Sequence, residues 1–419
     1  QAAWAERGDD GDIFVCSSTQ HPSEIQAVVS HVLHLPRNKV VVEAPRMGGG
    51  FGGKETQGNG WASLVALAAW KTGKPVRVQL DRDVDMSVTG KRHPFYGEYE
   101  VGFDNQGRLT AARARLISDG GWALDLSESI LDRALFHLDN SYHIPAVEFT
   151  GRVGKTNNCS HTAYRGFGGP QGMVYIEEVM DRVARHLGLA PEIVRERNLY
   201  HGSGATNTTH YGQPLEDNRI PLIWETLRDQ AQLLERRAAV AEWNRQHPHK
   251  KRGLAMTPVK FGISFTASFL NQAGALVLIY RDGTVQVNHG GTEMGQGLYT
   301  KMQGVAMREL GISADQVRVM KTRTDKVPNT SPTAASSGAD LNGAAVKAAC
   351  ETLRGRLAEV AARMLSDQGK PTDPETLVFA DDHIGELPFR EVVDRAYRQQ
   401  VSLSSTGYYR TPGLAYDKK

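Results

Sequence analysis

The sequence predicts a mixed α+β fold in two pieces rather than one doubly wound sheet. Segments rich in β-branched and aromatic residues are joined partly by hairpin turns and partly by helical segments, in an irregular order. A chain of 419 residues is long enough for two or three domains of about 150 residues each. The pattern changes character once, near residues 241–253. We therefore predict a first domain at 1–240, a linker at 241–253 and a second domain at 254–419.

The first 120 residues carry clear strand and helix signals. Short runs of valine, isoleucine and aromatic residues lie between turn signals, and residues 104–107 (Asp-Asn-Gln-Gly) are typical of a hairpin turn. An alanine-rich segment between two tryptophans is typical of a buried helix. The elements predicted here are a strand at 12–16, a helix at 23–33, a strand at 39–43, a helix at 61–70, and strands at 76–80, 96–103 and 110–118.

An amphipathic helix at 172–188 is the strongest signal in the rest of the chain. Apolar residues from Tyr175 to Leu187 recur every four positions, and Pro170 suits the start of a helix. Residues 233–253 predict a solvated helix that ends in an exposed basic turn. The remaining predicted elements are strands at 275–280 and 285–289, joined by a turn at 281–283, and helices at 298–310, 343–364 and 389–397.

Charge and composition exclude several classes of protein. The 49 Lys and Arg residues nearly balance the 47 Asp and Glu residues, for a net charge of +2. The chain therefore lacks the basic surface expected of a nucleic-acid-binding protein. No apolar run reaches the roughly 18–20 residues that cross a bilayer, so no membrane partner is expected. The three cysteines are far apart, which argues against a disulfide framework and predicts a cytoplasmic location.

Glycine is the outlier of the composition, with 43 of the 419 residues, and it is concentrated in loops. Three loops are rich in glycine, and a fourth is built from other small residues. Such loops let backbone N–H groups approach a ligand closely, and successive N–H groups can bind an anion. Four of them on one chain predict a large polar ligand that is enclosed from several sides. The loops are residues 47–54, 162–171, 289–297 and 331–338.

The first of these loops fits two nucleotide-binding patterns. Gly48, Gly50 and Gly53 match the dinucleotide pattern G-x-G-x-x-G between a predicted strand and a predicted helix. The phosphate-loop pattern fits as far as Lys54, but Glu55 stands where that loop needs Ser or Thr to hold magnesium. A nicotinamide-binding protein is therefore one alternative, although so many glycines disfavour a helix N-terminus.

Longer motifs in these loops are similar to those of a known family. They are residues 46–55 (Arg-Met-Gly-Gly-Gly-Phe-Gly-Gly-Lys-Glu), 165–171 (Arg-Gly-Phe-Gly-Gly-Pro-Gln), 260–266 (Lys-Phe-Gly-Ile-Ser-Phe-Thr) and 290–297 (Gly-Gly-Thr-Glu-Met-Gly-Gln-Gly). In this order they resemble the cofactor-binding part of the molybdenum hydroxylases, and among them the xanthine dehydrogenase family. The resemblance extends over essentially the whole chain. It implies two elongated mixed α/β domains that bind molybdopterin, the first without its extreme N-terminus and the second incomplete.

The resemblance implies cofactor-binding roles in several loops. Gln20 would hydrogen-bond an oxo ligand of molybdenum, and the backbone of Phe51 and Gly52 would lie against the ligands of the metal. The metal is held by the pterin, with Gln20, Phe51 and Arg165 near it. The residues implied to hold the cofactor are Gln20, Phe51, Gly52, Arg165, Met294, Gly295, Gln296, Ala334, Ala335, Ser336, Ser337 and Gly338.

The resemblance also implies a purine pocket. Phe167 and Phe265 would stack on the flat ring, worth about 0.5–1.5 kcal/mol beyond area burial, with Thr266 beside them. Arg133 would stabilise negative charge on a ring oxygen by roughly 3–4 kcal/mol, and Glu55 would hydrogen-bond the purine edge. Related aldehyde oxidases generally lack this Glu and Arg. The presence of Glu55 and Arg133 as catalytic residues favours the oxidation of hypoxanthine to xanthine and then to urate, with oxygen from water.

Each of these residues has an ordinary interpretation when it is taken alone. Arg133 could be a surface or ion-paired arginine beside Asp132, and Glu55 could favour the N-terminus of the following helix. The phenylalanines could belong to a core. Three histidines are interpreted as structural: His137, His161 and His289.

One residue that the family needs is missing. Its general base is a glutamate in a Val-Gly-Glu-Pro-Pro motif, which this chain lacks. Residues 384–388 (Ile-Gly-Glu-Leu-Pro) look similar but precede the family-like stretch 402–407, so Glu386 is not assigned. We expect a fragment that is inactive by itself, since removing a base costs about 10²–10⁴-fold. Iron–sulfur (2Fe-2S) clusters, FAD and NAD would lie on other domains or subunits of a homodimeric parent enzyme.

Two other functions stay open at this point. The chain could belong to a molybdenum hydroxylase that acts on an aldehyde or on another N-heterocycle. It could also be a non-catalytic module that binds the cofactor or assists in assembly.

Overall fold

The computed structural model describes residues 1–415, which form two compact units. The first unit contains Gln1–Gly90 and the described residues from Ile263 onward, and the second contains Lys91–Gly262. The chain thus leaves the first unit and later returns to it. The predicted division into consecutive domains with a linker at 241–253 stays a prediction.

Both units combine helices with sheets, which confirms the predicted α+β class. The strands are β1 Ala2–Arg7, β2 Ile13–Ser17, β3 Val40–Ala44, β4 Val76–Gln79, β5 Phe95–Phe103, β6 Leu109–Gly121, β7 Val147–Lys155, β8 Gln272–Ile279, β9 Val285–His289, β10 Val317–Val319, β11 Thr322–Arg323, β12 Phe379–Ala380, β13 His383–Ile384, β14 Leu387–Pro388 and β15 Ser404–Arg410. The helices are α1 Pro22–Leu33, α2 Asn59–Thr72, α3 Arg82–Val88, α4 Ser127–Phe136, α5 Gly169–Leu187, α6 Pro191–Asn198, α7 Ile220–Gln230, α8 Leu233–Gln246, α9 Leu298–Leu310, α10 Gly338–Asp367 and α11 Phe389–Arg398.

A five-stranded sheet of order β11-β3-β2-β1-β4 lies in the first unit. β2 and β3 are parallel and connected through α1, whereas β1 pairs antiparallel with both β2 and β4. Ile13 and Val15 of β2 point inward and pack with Ile25 of α1. Each such buried side chain stabilises the unit by about 1.5–3 kcal/mol. This packing fixes the ends of β2 and β3, which are followed by the segment with Gln20 and by the first glycine loop.

The second sheet of the first unit has the order β10-β9-β8-β15. β8 and β9 form the predicted hairpin, and β15 pairs antiparallel with β8. The 30-residue helix α10 packs on this sheet. A Cβ at Gly407 of β15 would overlap the carbonyl oxygen of Ala345 and would lie 2.7 Å from the backbone nitrogen of Ala349. Glycine at this position therefore lets α10 lie directly on the strand.

A small sheet of order β12-β13-β14 precedes α11. Glu386 lies in the turn between β13 and β14, and its Oε1 is 2.6 Å from Nζ of Lys370 in an exposed ion pair. Such a pair contributes at most about 1 kcal/mol. Glu386 therefore has an ordinary surface contact, which agrees with leaving it unassigned.

The second unit is built on the sheet β5-β6-β7. β5 and β6 form the predicted hairpin, and β6 is parallel to β7, to which it connects through α4. Val179 and Val183 from the predicted stripe of α5 are buried together with Ile176. The amphipathic pattern of α5 is thus used for core packing.

Several elements were not predicted from the sequence: β1, α3, α4, β7, α6, α7 and the strands β10 to β15. β1 (Ala-Ala-Trp-Ala-Glu-Arg) lacks β-branched residues and is a strand because β2 and β4 pair with it on both sides. β7 does alternate between half-buried and exposed residues, so the period-2 rule could have found it. Within residues 1–415, no helix has both the length and the apolar character needed to span a membrane.

Gly407→Ala is expected to lower the free energy of unfolding by about 1–3 kcal/mol, because the new Cβ would overlap backbone atoms of α10. Gly355→Ala is the matched control. Gly355 lies in α10 with open space at its Cβ position, so alanine there should stabilise by about 0.5–1 kcal/mol through helix propensity. Denaturant unfolding followed by circular dichroism measures the free energy of unfolding of both variants. Equal effects of the two substitutions would contradict the close packing of β15 on α10.

Candidate functional site

Gln20 lies between β2 and α1 and is only 2% exposed. Its Oε1 accepts a hydrogen bond from the backbone N–H of Gly52 at 2.8 Å, and its Nε2 donates to the carbonyl oxygen of Thr333 at 3.1 Å. Its backbone N–H donates to the carbonyl oxygen of Lys54 at 2.8 Å, and its own carbonyl oxygen accepts from the N–H of Thr333 at 2.9 Å. One residue therefore joins its own loop, the first glycine loop and the loop of small residues. Any other arrangement would leave a buried polar atom unpaired.

The first glycine loop contains several left-handed backbone conformations. Gly49 and Gly52 have φ of +108° and +93°. Phe51 has φ of +55° and is 57% exposed. A Cβ at Gly50 would lie 2.6 Å from both Oε1 of Gln20 and Sδ of Met294. Glycine is thus required where the loop passes these two side chains.

This geometry does not support the dinucleotide-binding alternative. In that motif the glycine loop opens directly into a helix whose N-terminus binds the pyrophosphate. Here turns follow Gly53, and α2 begins only at Asn59. Three of the four strand pairings described in this sheet are antiparallel. The loop is therefore a backbone surface beside Gln20 and not the start of a nucleotide-binding helix.

Glu293 organises the third glycine loop. Its carboxylate accepts hydrogen bonds from the N–H groups of Gly295 at 2.8 Å, Gly297 at 3.1 Å and Tyr299 at 2.9 Å. Burial by itself raises the pKa of Glu293, but these three donors, with the Arg46 cation, hold that pKa below its usual value. Glu293 therefore caps the start of α9 in its charged form.

The third loop contacts the first and the fourth loops directly. The N–H of Met47 donates to the carbonyl oxygen of Glu293 at 2.9 Å. The N–H of Thr292 donates to Oγ1 of Thr333 at 2.8 Å. Together with the bonds of Gln20, these contacts bring three of the four predicted loops into one cluster within the first unit.

The fourth loop lies at the N-terminus of α10. Ala335 and Ser336 have φ of +54° and +57°, and the N–H of Ser264 donates to the carbonyl oxygen of Ala335 at 3.0 Å. α10 begins at Gly338. The unpaired N–H groups and the dipole of a long helix favour an anion at this end. The predicted phosphate-holding segment, residues 334–338, thus has suitable electrostatics.

The third loop leaves open space beside its backbone and contains a buried hydroxyl that is unpaired among the described residues. Gly295 and Gly297 have positive φ and open space at their Cβ positions. Oγ1 of Thr292 is buried and has no hydrogen-bond partner within the described part of the chain. Gln296 is turned onto its own loop, where Oε1 accepts from the N–H of Met294 at 2.6 Å and Nε2 donates to the carbonyl oxygen of Thr292 at 2.9 Å. These features fit a bulky polar ligand with several hydrogen-bonding groups.

Three of the predicted substrate-binding residues lie in the first unit. Glu55 follows the first glycine loop and is buried, and its N–H donates to the carbonyl oxygen of Gly52 at 3.0 Å. Phe265 and Thr266 are half-buried. The side-chain amide of Asn271 holds the N–H and the carbonyl oxygen of Phe265 at 2.8 and 2.9 Å. The backbone at Phe265 is therefore fixed on both sides.

Three other predicted site residues lie in the second unit. Arg133 of α4 is only 9% exposed, so it is not the surface arginine that the sequence alone allowed, and its Nη1 donates to the carbonyl oxygen of Gly262 at 2.9 Å. Arg165 is exposed, and its carbonyl oxygen accepts from Nη2 of Arg92 at 2.7 Å. Phe167 is half-buried with φ of +52°. The roles of these residues stay predictions.

The sequence analysis missed three residues that shape the site. For Glu293 a signal existed, because an acidic residue shortly before a helix commonly caps it. No sequence signal marked Thr333, because its partner Gln20 is 313 residues away in the chain. Asn271 is an ordinary polar residue in sequence, and only its two bonds to Phe265 reveal its function.

Two family models match this chain, and both describe a molybdopterin cofactor-binding domain. One matches residues 1–199 and the other matches residues 226–419. Their ranges include the first, third and fourth loops described above.

Curated relatives match nearly the whole chain. Xanthine dehydrogenase/oxidase of Rattus norvegicus is 48% identical over 410 residues, and that of Gallus gallus is 46% identical over 411 residues. Xanthine dehydrogenase of Drosophila subobscura is 46% identical over 415 residues. The alignments cover 98–99% of this chain but 29% of each relative. The chain therefore spans about 29% of the length of these relatives.

Solved structures share the fold. Quinoline 2-oxidoreductase from Pseudomonas putida 86 matches with a TM-score of 0.83 and 25% identity, over 98% of this chain and 55% of its own. The aldehyde oxidoreductase from Desulfovibrio desulfuricans matches with a TM-score of 0.83 and 24% identity, over 99% of this chain and 42% of its own. These matches confirm the predicted mixed α/β architecture.

Glu293→Gln is expected to lower the free energy of unfolding by about 1–3 kcal/mol near neutral pH, because a charged acceptor for three N–H groups is lost. A carboxyl whose pKa is lowered on folding stabilises the protein above its unfolded pKa, and this contribution is lost as the pH falls through the lowered value. The difference between wild type and variant should therefore shrink on acidification. Glu375→Gln, at an exposed position, is the matched control. Urea unfolding at several pH values measures both, and a difference that does not depend on pH would contradict the capping role.

Proposed function

Since the chain belongs to the molybdopterin cofactor-binding family, we propose that it forms part of a molybdenum hydroxylase that oxidises purines, hypoxanthine to xanthine to urate. The observation that carries this proposal is the 46–48% identity to xanthine dehydrogenases over 98–99% of the chain. The presence of both Glu55 and Arg133, each of them buried, supports a purine as the substrate.

The loop cluster of the first unit would hold the cofactor, and Arg165 keeps its predicted role near the metal. Gln20 would hydrogen-bond an oxo ligand of the bound metal, the backbone of Phe51 and Gly52 would lie against its ligands, and residues 334–338 would hold the phosphate. Support comes from the open space beside Gly295 and from the long helix α10, which begins at Gly338. The molybdenum–molybdopterin cofactor supplies two-electron redox chemistry and transfer of oxygen from water when it is bound.

In this proposal five residues bind and orient the substrate. Phe167 and Phe265 contact the faces of the purine ring, with Thr266 beside them. The carboxyl group of Glu55 hydrogen-bonds the purine edge. The guanidinium of Arg133 donates hydrogen bonds to a ring oxygen on which negative charge develops, and so lowers the barrier by roughly 3–4 kcal/mol. Burial of Arg133 strengthens this interaction because little water competes for the charge.

Electrons leave the site through other parts of the enzyme. In this proposal 2Fe-2S clusters and FAD lie on other domains or on a partner subunit, NAD accepts the electrons, and the parent enzyme is a cytoplasmic homodimer. The general base is also supplied from outside this chain. The chain by itself is therefore inactive.

A molybdenum hydroxylase for an aldehyde or another N-heterocycle is the second candidate. The observation in its favour is the fold shared with quinoline 2-oxidoreductase and with an aldehyde oxidoreductase. A substrate panel on the full-length enzyme separates the two candidates. Oxidation of aldehydes or quinoline with a higher kcat/KM than xanthine would favour the second.

Arg133→Met in the full-length enzyme is expected to lower kcat/KM for xanthine by about 10²–10³-fold, since one donor to the developing charge is lost. Turnover of an aldehyde, which offers no ring oxygen, should change little. Arg113→Met is the matched control, because Arg113 lies on β6 with its side chain 65% exposed. Steady-state kinetics of both variants on both substrates test this. An equal loss on the two substrates would contradict the proposed role of Arg133.

The full-length protein is expected to contain molybdenum and pterin in stoichiometric amounts, because the loop cluster is preformed in the first unit. Elemental analysis and fluorescence of the released, oxidised pterin measure this. A cofactor-loaded protein without activity, even with all its partner domains present, would favour a non-catalytic binding or assembly module instead.

A further inference from the structure

The surroundings of Arg133 in the second unit hold its guanidinium in one direction. Nη1 donates to the carbonyl oxygen of Gly262 at 2.9 Å. The guanidinium carbon lies 5.8 Å from the centre of the Phe261 ring, within the range of a cation–π contact. A carbonyl oxygen and a ring from two adjacent residues thus both lie against the guanidinium of Arg133. The position of the charge depends on what holds Phe261 and Gly262.

Phe261 is stacked on His137. The ring centres are 4.8 Å apart and the planes differ by only 5°. His137 follows the last residue of α4 and is 1% exposed. It comes four residues after Arg133, so the two side chains project from the same side of the helix. The stack therefore ties the plane of Phe261 to the helix that carries Arg133.

His137 contributes to this stack as a flat ring rather than as a hydrogen-bonding group. Neither ring nitrogen makes a hydrogen bond of standard geometry among the described residues, although the backbone of Lys260 is near enough to act on the pKa of His137. Burial, followed by the charges of Arg133 and Lys260, lowers the pKa of His137 to about 4. The ring is therefore neutral at physiological pH and adds no repulsive charge beside the guanidinium.

The backbone on the N-terminal side of Phe261 is anchored to the end of α4. The side chain of Asn140 donates to the carbonyl oxygen of Pro258 at 2.9 Å and accepts from the N–H of Lys260 at 3.1 Å. Nζ of Lys260 lies 2.6 Å from Oδ2 of Asp139 in a buried ion pair. Two consecutive residues, Asp139 and Asn140, thus hold the segment before Phe261, whose ring stacks on His137.

The same stack limits the position of a second site loop. A Cβ at Gly169, the first residue of α5, would lie 2.7 Å from Cε2 of Phe261 and 3.2 Å from Cδ2 of His137. Gly169 follows the loop that carries Arg165 and Phe167. The stack is therefore next to Gly262, which binds Arg133, and it also contacts the start of α5.

We propose that the stacked pair His137–Phe261 positions Arg133 for the reaction, as positioning residues that act through the guanidinium and not on the substrate. This inference rests on the proposed function, in which Arg133 meets the developing charge on a ring oxygen. Loss of the stack frees Gly262 and Phe261 to shift, and a donor displaced by 1 Å can cost about 10²-fold in rate.

A double-mutant cycle in the full-length holoenzyme tests the proposal. His137→Ala is expected to lower kcat for xanthine by about 10²-fold with KM within about threefold, because an interaction made mainly in the transition state is lost. His137→Phe keeps a flat ring and should retain kcat within about threefold. In the Arg133→Met background, His137→Ala should cost less than about twofold, since the residue through which it acts is gone.

His186→Ala is the matched control, because His186 is an exposed histidine on α5 whose ring packs edge-on against Phe103 at 5.6 Å. Its kcat should equal that of the wild type. Molybdenum content and Tm are measured for every variant, so that only folded, loaded enzyme is compared. If His137→Ala does not fold, Phe261→Leu takes its place in the cycle with the same expected pattern.

The outcomes separate this inference from the proposed function. If Arg133→Met leaves xanthine turnover unchanged, the proposed role of Arg133 fails and the inference fails with it. If Arg133→Met is impaired but His137→Ala has the same fold-effect in both backgrounds, the inference alone is overturned. A His137→Phe enzyme as slow as His137→Ala would also overturn it, since the ring nitrogens would then be essential.

Discussion

The side-chain amide of Gln20 is the interaction on which the candidate site depends. A buried amide must pair both of its polar atoms, and here the partners are backbone groups of Gly52 and Thr333. These groups belong to loops that follow β3 and β11, two neighbouring strands of the five-stranded sheet. A single short side chain therefore sets the distance between them. Other distances between the loops are disfavoured, because they would leave a buried amide group unpaired at a large cost in free energy.

The second constraint is the close approach of backbone to neighbouring atoms, which glycine permits both in a site loop and in the packing of a helix on a strand. At Gly50 the missing Cβ leaves room for Gln20 and Met294, so the loop can pass between side chains of the site. At Gly407 it lets α10 lie on β15, which places the N-terminus of that helix beside the loop cluster. Glycine is thus needed for both the local shape of the site and the packing that supports it.

The charges of the site are arranged by burial and by fixed dipoles. Glu293 stays ionised because three N–H groups surround it, and this capping interaction orders the third loop. Arg133 is buried on α4, where Phe261 and the carbonyl oxygen of Gly262 define its direction. Charges that are fixed before a substrate binds need no reorganisation during the reaction. Such preorganisation is a property expected of a catalytic site and not of a surface ion pair.

The sequence by itself was enough to predict the fold class, the family and three loops that the structure brings together, because glycine clusters, hydrophobic period and motif order are local features of the chain. It could not determine which residues hold these loops together. Thr333 pairs with Gln20 across more than 300 positions, and β1 is a strand only because two neighbours pair with it. Likewise, the sequence indicated only a structural role for His137, and the stack of its ring on Phe261 is visible only in the structure. Such contacts are decided by tertiary packing, since their energy depends on partners that sequence spacing does not specify.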